Sequence, residues 1–574
     1  MVKERFWFFL LIILGLILVI WLRIFYWQII RGPELGVAAR RQRYQVLEIA
    51  APRGRIFSRD HYPLVLNQPA FLLYAYLPNL TTPKEELAHQ LAPILVEFEN
   101  ASESAALEEK IEAKERQLGK RLFSGKKWVV LARRVGEKQK ELIEKLNLSG
   151  LGFEEEQMRD YPEASMAAHL LGFVGYDQSG NPQGYFGLEG FYQSQLEGSP
   201  GRLIEERGGL GQAILSLGRV KEIMEPGLNL TLYLDRTAQF ILEEELKKGL
   251  ERYGAKSGWG VILDPETGGV LAMASFPNYD PSRYFRFDSK LYPNPVVAEG
   301  FEPGSIFKPL VMAAALEEGV VEPETRCGRC GGPRKIGDHE IKTWNDRYYP
   351  DSTMTEVIEH SDNVGMVFVA EKLGKKKLLA AVRRFGFGQK TGIDLQEEMT
   401  PQLRPDDQWY PIDWATLSFG QGISVTPIQM IRAFAVLANG GYLIQPRVVA
   451  RVWSEDGRQN YQSQVKRQRI LGSQTIAEIT QMLVNAVENG EARWAKPKNL
   501  VVAGKTGTAQ IPIQGHYDEE KTIASFIGFA PADRPRIVML VSLREPKTSP
   551  WGSETAAPLW FTLVKRLAYY WNWL

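Results

Sequence analysis

One uncharged apolar run, Phe6 to Leu22, limits the architectures open to this chain more than any other feature. About 17 residues of helix reach most of the way across a bilayer core, and flanking aromatics can complete the crossing. Trp7, Trp21, Tyr26 and Trp27 stand near its ends, where interfacial aromatics belong. Lys3 and Arg5 precede it, which predicts a cytoplasmic N-terminus. A cleaved signal peptide is the rival. Its one small-residue site, Val37-Ala38-Ala39, lies far downstream, and the run exceeds a usual signal core, so an uncleaved anchor is preferred. No second run of this length follows. Everything after about residue 30 is therefore predicted to lie outside the cytoplasmic membrane.

The remaining chain is long enough for several globular domains, within a total of 574 residues. A net charge of +1 gives no basic field for nucleic acid. Two cysteines exclude a disulfide-rich scaffold, and six histidines leave little for a multi-metal site. After the anchor, Arg40, Arg41 and Arg43 fit a solvated helix face. Thr82-Pro83-Lys84-Glu85 predicts a capped helix start with Pro83 at the first helical position, followed by a stripe of Leu87, Leu91, Ile94 and Leu95. Trp128 to Leu131 is predicted as a strand and Lys138 to Leu146 as a helix. Near Pro226-Gly227 the composition changes. A strand over 228–234, a long helix opened by Asp235, and two strands joined by Pro265-Glu266-Thr267-Gly268 then lead into a second domain.

That domain carries the chemistry. Pro303 and Gly304 break the preceding segment, and Ser305-Ile306-Phe307-Lys308 heads an apolar stretch running to Gly319. Positions i and i+3 share a helix face, so Ser305 and Lys308 can meet at a helix N-terminus, where negative charge is favoured. A serine hydroxyl needs a base, and a lysine serves only when burial or a neighbouring cation lowers its pKa. Alone, this pair is more often a capping serine and a solvated lysine. Two further segments change that balance: Ser361-Asp362-Asn363, and Lys505-Thr506-Gly507-Thr508 near the C-terminus.

The three segments in this order resemble the penicillin-binding transpeptidases of the bacterial cell wall. Ala51-Pro52-Arg53-Gly54-Arg55-Ile56-Phe57 resembles the pedestal opening of their class B, although Ser58-Arg59-Asp60-His61 replaces the usual Asp-Arg-x-Gly. Residues 159–162, 168–175, 187–189 and 196–198 also match the pedestal pattern. Within that pattern His169 reads as a packed histidine, and Glu189 as the partner of a pedestal arginine. Gly420-Gln421-Gly422 and Thr426-Pro427-Ile428-Gln429 resemble the segment before a core helix, and the aromatic stretch 556–574 a helix packed on the sheet.

The resemblance implies an anchor over 1–30, an α+β pedestal over 31–226, and a transpeptidase domain over 227–574 with a central antiparallel sheet flanked by helices. It implies that Ser305 attacks the penultimate D-Ala carbonyl of a stem peptide and that Lys308 takes its proton. Backbone N–H groups of Ser305 and Thr508 would hold the oxyanion. Ser361 would pass a proton to the leaving D-Ala, with Lys505 setting the field. Thr506 and Thr508 would bind the substrate carboxylate, Asn363 a substrate amide, and Gly507 would allow close approach. An amine of a second stem peptide then completes the cross-link. Penicillins should acylate Ser305, and no cofactor is implied. No glycosyltransferase domain fits the pedestal span, and no segment supplies a β-lactamase's deacylating base. Details around Ser361 and Gly420 resemble the division type, so the implied partners are a polytopic membrane glycan polymerase and other division proteins. A D,D-carboxypeptidase and a non-enzymatic division scaffold are the alternatives. Cys327-Gly328-Arg329-Cys330, with Asp338 and His339 nearby, is open to zinc or a local disulfide, zinc being less favoured because the spacing matches no standard finger.

Overall fold

The computed structural model describes residues 2–96, 104–206, 220–513 and 516–573. They fall into two compact units, one within residues 1–53 and 197–227, the other within 54–196 and 228–574.

In the first unit, helix α1 (Val2–Phe25) continues through a π turn, Tyr26–Ile30, into a helix over Gly32–Arg43. The segment Lys3–Ile30 is long and apolar enough to span a membrane, and none of its most apolar window is buried by protein. Leu11, Leu16 and Leu22 stand exposed, an arrangement that lipid satisfies and water does not. The side chains of Arg40, Arg41 and Arg43 lie outside the described set. Strand Tyr44–Ile49 pairs antiparallel with Gly201–Glu206, which pairs with Val220–Glu222.

The second unit opens with residues 54–196. Strand Pro63–Tyr76 pairs antiparallel with both Trp128–Val135 and Leu151–Asp160. Helix Lys84–Leu95 covers this sheet, burying Leu87, Leu91 and Leu95 while Ile94 stays half-exposed at the edge of the stripe. The predicted start is displaced by one residue: Pro83 is extended at ψ 141° and sits outside the helix, with no side-chain cap bond. Proline's side chain has no acceptor to offer the first N–H groups. The departure at Ser58–His61 forms a tight turn, Ser58 N–H donating to Tyr62 O at 2.9 Å. His61 takes φ +61°, the left-handed conformation that a glycine would adopt without strain. His169 is buried, its Nε2 2.9 Å from Leu291 O and its ring edge-on to Tyr279. Burial pushes its pKa down to about 4, so it is a packed neutral imidazole. Glu189 is fully buried against Arg159, with 2.6 Å between Arg159 Nη2 and Glu189 Oε1.

Strands Asn229–Leu232, Val449–Trp453 and Asn460–Gln462 join the sheet of Pro63–Tyr76 by way of Ile56–Phe57, and the main sheet of residues 228–574 is antiparallel and five-stranded. Its strands are β1 (Ser257–Leu263), β2 (Val270–Phe276), β3 (Ala503–Ile513), β4 (His516–Ala530) and β5 (Ile537–Arg544), in the order β2-β1-β5-β4-β3. Alternate side chains serve opposite faces. On β5, Val538 and Leu540 join the larger core, whereas Met539, Val541 and Leu543 join a second core with helices Arg236–Tyr253 and Ala556–Tyr570. Trp560 is fully buried there, its Nε1 donating to Met539 O at 2.8 Å. Because both faces are covered, β5 is apolar along most of its length. The sheet leaves β3 at one edge, where its outer side is available to a ligand.

Candidate active site

Three segments, far apart in sequence, meet beside β3. The first is the nucleophile turn. Gly304 takes φ +57° and its N–H donates to Gly420 O at 3.0 Å. Gly304–Phe307 form a 3-10 turn, and helix α2 (Lys308–Glu317) follows with Pro309 in its first turn, where a missing N–H costs nothing. Ser305 therefore sits one turn ahead of the α-helix, among backbone N–H groups that lack intrahelical acceptors. Ser305 is half-buried and Lys308 is fully buried.

The second segment joins a short helix, Met354–Glu359, to helix α3 (Asn363–Leu373). Asp362 caps α3 by accepting from Val364 N–H at 2.8 Å. Ser361 is forced to φ +54°, which turns its carbonyl inward. Lys308 Nζ donates to Ser361 O at 2.6 Å and Asn363 Oδ1 at 2.8 Å, and lies 3.2 Å from Ser361 Oγ. Asn363 Nδ2 donates to Lys342 O at 3.1 Å, fixing the amide.

The third segment is β3. Thr506, Gly507 and Thr508 line a cavity of about 240 Å³ with Gly304, Ser305, Ser361 and Asn363. A Cβ on Gly507 would lie 2.8 Å from Ile306 Cγ2, so only glycine lets the strand pack this closely on the nucleophile turn. Thr508 Oγ1 accepts from Gly552 N–H at 2.9 Å. Lys505 is buried, its Nζ 3.2 Å from Thr506 Oγ1. Trp344 and Trp551 meet at the cavity, 4.9 Å between ring centroids.

Burial, then repulsion from Lys505, drives the Lys308 pKa well below its ordinary value, against the opposing pull of Asp362 and Glu491. Burial also brings Lys505 down to about 8, with Glu491 acting to raise it. A neutral Lys308 amine has the lone pair that a general base needs. The predicted contact between Ser305 and Lys308 is not closed as a hydrogen bond: among the described residues the Ser305 hydroxyl has no partner, and Lys308 is engaged with Ser361 and Asn363. Lys505 likewise turns to Thr506 rather than to Ser361.

The sequence singled out eight residues, and the geometry gathers all eight at this cavity or directly behind it. It missed Glu491, which lines the cavity from the loop after helix α4 (Ser473–Glu488). Gly490-Glu491 has no period or motif spacing to signal it. Trp344 was missed for the same reason. Cys327 and Cys330 form a disulfide, with Cα atoms 5.6 Å apart. The sulfurs are bonded to each other, and Asp338 and His339 stand exposed.

The model of the penicillin binding protein transpeptidase domain matches residues 258–565, and that of the penicillin-binding protein dimerisation domain matches residues 48–232. The chain is 34% identical over 563 residues to Stage V sporulation protein D of Bacillus subtilis, covering 97% of this chain and 84% of that protein. It is 30% identical to the peptidoglycan D,D-transpeptidase FtsI of Escherichia coli K12, covering 94% and 87%. Among solved structures, penicillin binding protein 3 of Mycobacterium tuberculosis complexed with aztreonam matches at a TM-score of 0.68 and 25% identity, covering 92% and 97%.

Proposed function

This chain belongs to the penicillin-binding protein transpeptidases, and on that premise we propose that it is a peptidoglycan D,D-transpeptidase of class B, working in septal wall synthesis. The observation that carries the reading is the buried Lys308 amine, held against Ser361 and Asn363 behind a cavity that Ser305 and the Thr506–Thr508 strand line.

In this reading Ser305 Oγ attacks the carbonyl of the penultimate D-Ala while its proton passes to Lys308. The developing oxyanion is held by the N–H groups of Ser305 and Thr508, preorganised donors worth roughly 3–4 kcal/mol each to a transition state. Lys308 returns the proton through Ser361, 3.2 Å away, to the departing D-Ala nitrogen. Thr506 and Thr508, on one face of the strand beside the Lys505 charge, bind the substrate carboxylate. An amine from a second stem peptide attacks the Ser305 ester, forms the new amide and releases Ser305. Residues 1–30 anchor the chain with the N-terminus cytoplasmic, 31–226 serve as pedestal, and 227–574 as catalytic domain. The pedestal and anchor face a polytopic membrane glycan polymerase and other division proteins.

Sporulation is a second setting with one observation in its favour, the name of the Bacillus subtilis relative. A fluorescent fusion followed through growth and sporulation separates the two: septal signal in dividing cells supports the first, and signal confined to sporulating cells supports the second. The chemistry is tested with a fluorescent penicillin and intact-mass analysis on wild type and Ser305→Ala. A stable adduct of one penicillin, lost in the variant, is expected. No adduct on folded wild type would favour a non-enzymatic scaffold, and rapid loss of an adduct would favour a β-lactamase. A D,D-carboxypeptidase would release D-Ala from stem peptide without ever yielding cross-linked dimer.

A further inference from the structure

The lining of the active-site cavity contains one charged side chain, and the chemistry assigned so far does not use it. Glu491 faces the space shared by Ser305, Ser361, Asn363, Thr506 and Thr508. Its Oε1 is buried and, among the described residues, has no hydrogen-bond partner. Such an oxygen is costly to leave unpaired, and native structures leave few of them without a purpose. The backbone beneath is fixed: Gly490 N–H donates to Ala486 O at 3.2 Å, and a Cβ on Gly490 would fall 2.2 Å from that oxygen. The field of Glu491 reaches Lys308 and Lys505, yet no ion pair within 4.0 Å ties it to either. The side chain thus faces two buried lysines without touching either, and its Oε1 is left with room for a donor.

We propose that Glu491 recognises the primary ammonium of the acceptor stem peptide and brings it to the Ser305 ester. The proposal rests on the transpeptidase reading above. Cross-linking, unlike hydrolysis, needs an amine as second substrate, and an alkyl amine arrives protonated at neutral pH. A carboxylate in a partly enclosed cavity attracts such a cation more strongly than the same pair in water. Glu491 makes and breaks no bond in this role: the ammonium loses one proton to solvent to become the nucleophilic amine, and as the amide forms a second passes by way of Lys308 to Ser305 Oγ, whose bond to the acyl carbon breaks. The carboxylate raises the local concentration of acceptor over water, and so biases the acyl-enzyme towards the amide product. The same chemistry would fit an ammonium carried on the donor peptide, and the test separates the two.

The experiment uses the full chain in detergent, with a D-Ala-D-Ala-terminated stem peptide as donor and graded concentrations of an amine-bearing stem peptide as acceptor. Mass spectrometry gives the ratio of cross-linked to hydrolysed product. Both products come from one acyl-enzyme, so the ratio is independent of how fast that intermediate forms. For Glu491→Gln, the acceptor concentration giving equal amounts of the two products should rise about tenfold, the effect of losing one modest charge contact. Glu491→Asp should recover part of the loss. Methanol, an uncharged nucleophile, should partition identically in wild type and Glu491→Gln. An unchanged ratio with the amine overturns the proposal. So does an equal loss with methanol, or a rise in donor KM with the ratio intact, which would move the ammonium to the donor. A displaced pH profile of penicillin acylation with an intact ratio would also overturn it, by assigning Glu491 to the lysines. Failure of wild type to acylate at all would instead remove the transpeptidase reading.

Discussion

Gly420 gives the sharpest test of how tightly the nucleophile turn is held. It lies outside the three motifs, but its backbone presses on Gly304, whose N–H donates to Gly420 O at 3.0 Å. Gly420 has φ +78°, and a Cβ there would sit 2.2 Å from Gly304 O. Relieving that contact requires backbone movement of about 1 Å, since Cβ atoms do not approach other atoms much inside 3 Å. Gly304 is bonded to Ser305, so the nucleophile moves with it. Displacements near 1 Å cost on the order of 100-fold in rate when they spoil an attack geometry. Left-handed strain on the new alanine adds roughly 1–2 kcal/mol of destabilisation and would confuse the result if measured alone. Gly440 supplies the control: it has φ +80°, and a Cβ there meets nothing within 4 Å. Gly420→Ala and Gly440→Ala thus carry the same backbone strain, and one of them moves Ser305. Stopped-flow acylation with a fluorescent penicillin should find Gly440→Ala near wild type and Gly420→Ala slower by about 100-fold, with both folded by thermal melt. Equal acylation rates in the two variants would refute the claim that this glycine contact sets the position of Ser305.

Two further perturbations probe the buried charges. Lys505 is buried and its pKa falls from 10.5 to about 8, so keeping it charged costs the fold on the order of 3 kcal/mol. Lys505→Met, of similar volume, should abolish turnover yet raise the melting temperature by a few degrees. The pH dependence follows in sign. Between pH 8 and 10.5 the unfolded lysine holds more protons than the folded one, so wild-type stability from this group rises with pH, and the variant's advantage should be largest below pH 8 and vanish towards 10.5. An advantage that is constant with pH would disprove the assignment. In the pedestal, Glu189→Ala leaves the Arg159 guanidinium buried without the carboxylate it now faces at 2.6 Å. Loss of one partner of a buried pair costs roughly 3–5 kcal/mol, to be read as a lower urea midpoint, whereas a change below 1 kcal/mol would place the pair among those that contribute nothing.

Local signals carried much of the fold into the sequence. The length of the apolar run at Phe6–Leu22 is a property of one segment, and so are the two short apolar runs, joined by the Pro265–Gly268 turn, that form β1 and β2. The resemblance placed Thr426-Pro427-Ile428-Gln429 before a core helix, and there Gln429 Oε1 accepts from Thr426 N–H at 3.0 Å, a capping box only three residues long. What a three-residue window does not contain stayed hidden. Nothing near Pro83 says whether it stands inside or outside its helix. The reach of Lys308 to Ser361 and Asn363 spans 53 and 55 residues and depends on how α2 and α3 pack. Glu491 is an acidic residue in a polar loop until the fold turns it into a cavity.

The placement of Lys308 bears directly on the order of proton transfers. Three acceptors surround its nitrogen: Ser361 O, Asn363 Oδ1 and Ser361 Oγ. A neutral amine has two N–H donors and one lone pair, so one of these contacts must change when Lys308 loses its proton. Ser361 Oγ, the longest at 3.2 Å, is the only one of the three that carries a proton of its own. The carbonyl and the amide oxygen keep the two N–H groups, and the lone pair is left pointing at Ser361 Oγ or, after a rotation about the last side-chain bond, at Ser305. The two serines thus compete for one lone pair. Attack by Ser305 requires that Ser361 give it up, and departure of D-Ala requires that Ser361 take the proton back. Asn363, pinned through Lys342 O, keeps the lysine from following either serine out of line, which is a reason for the motif to contain an amide next to a hydroxyl.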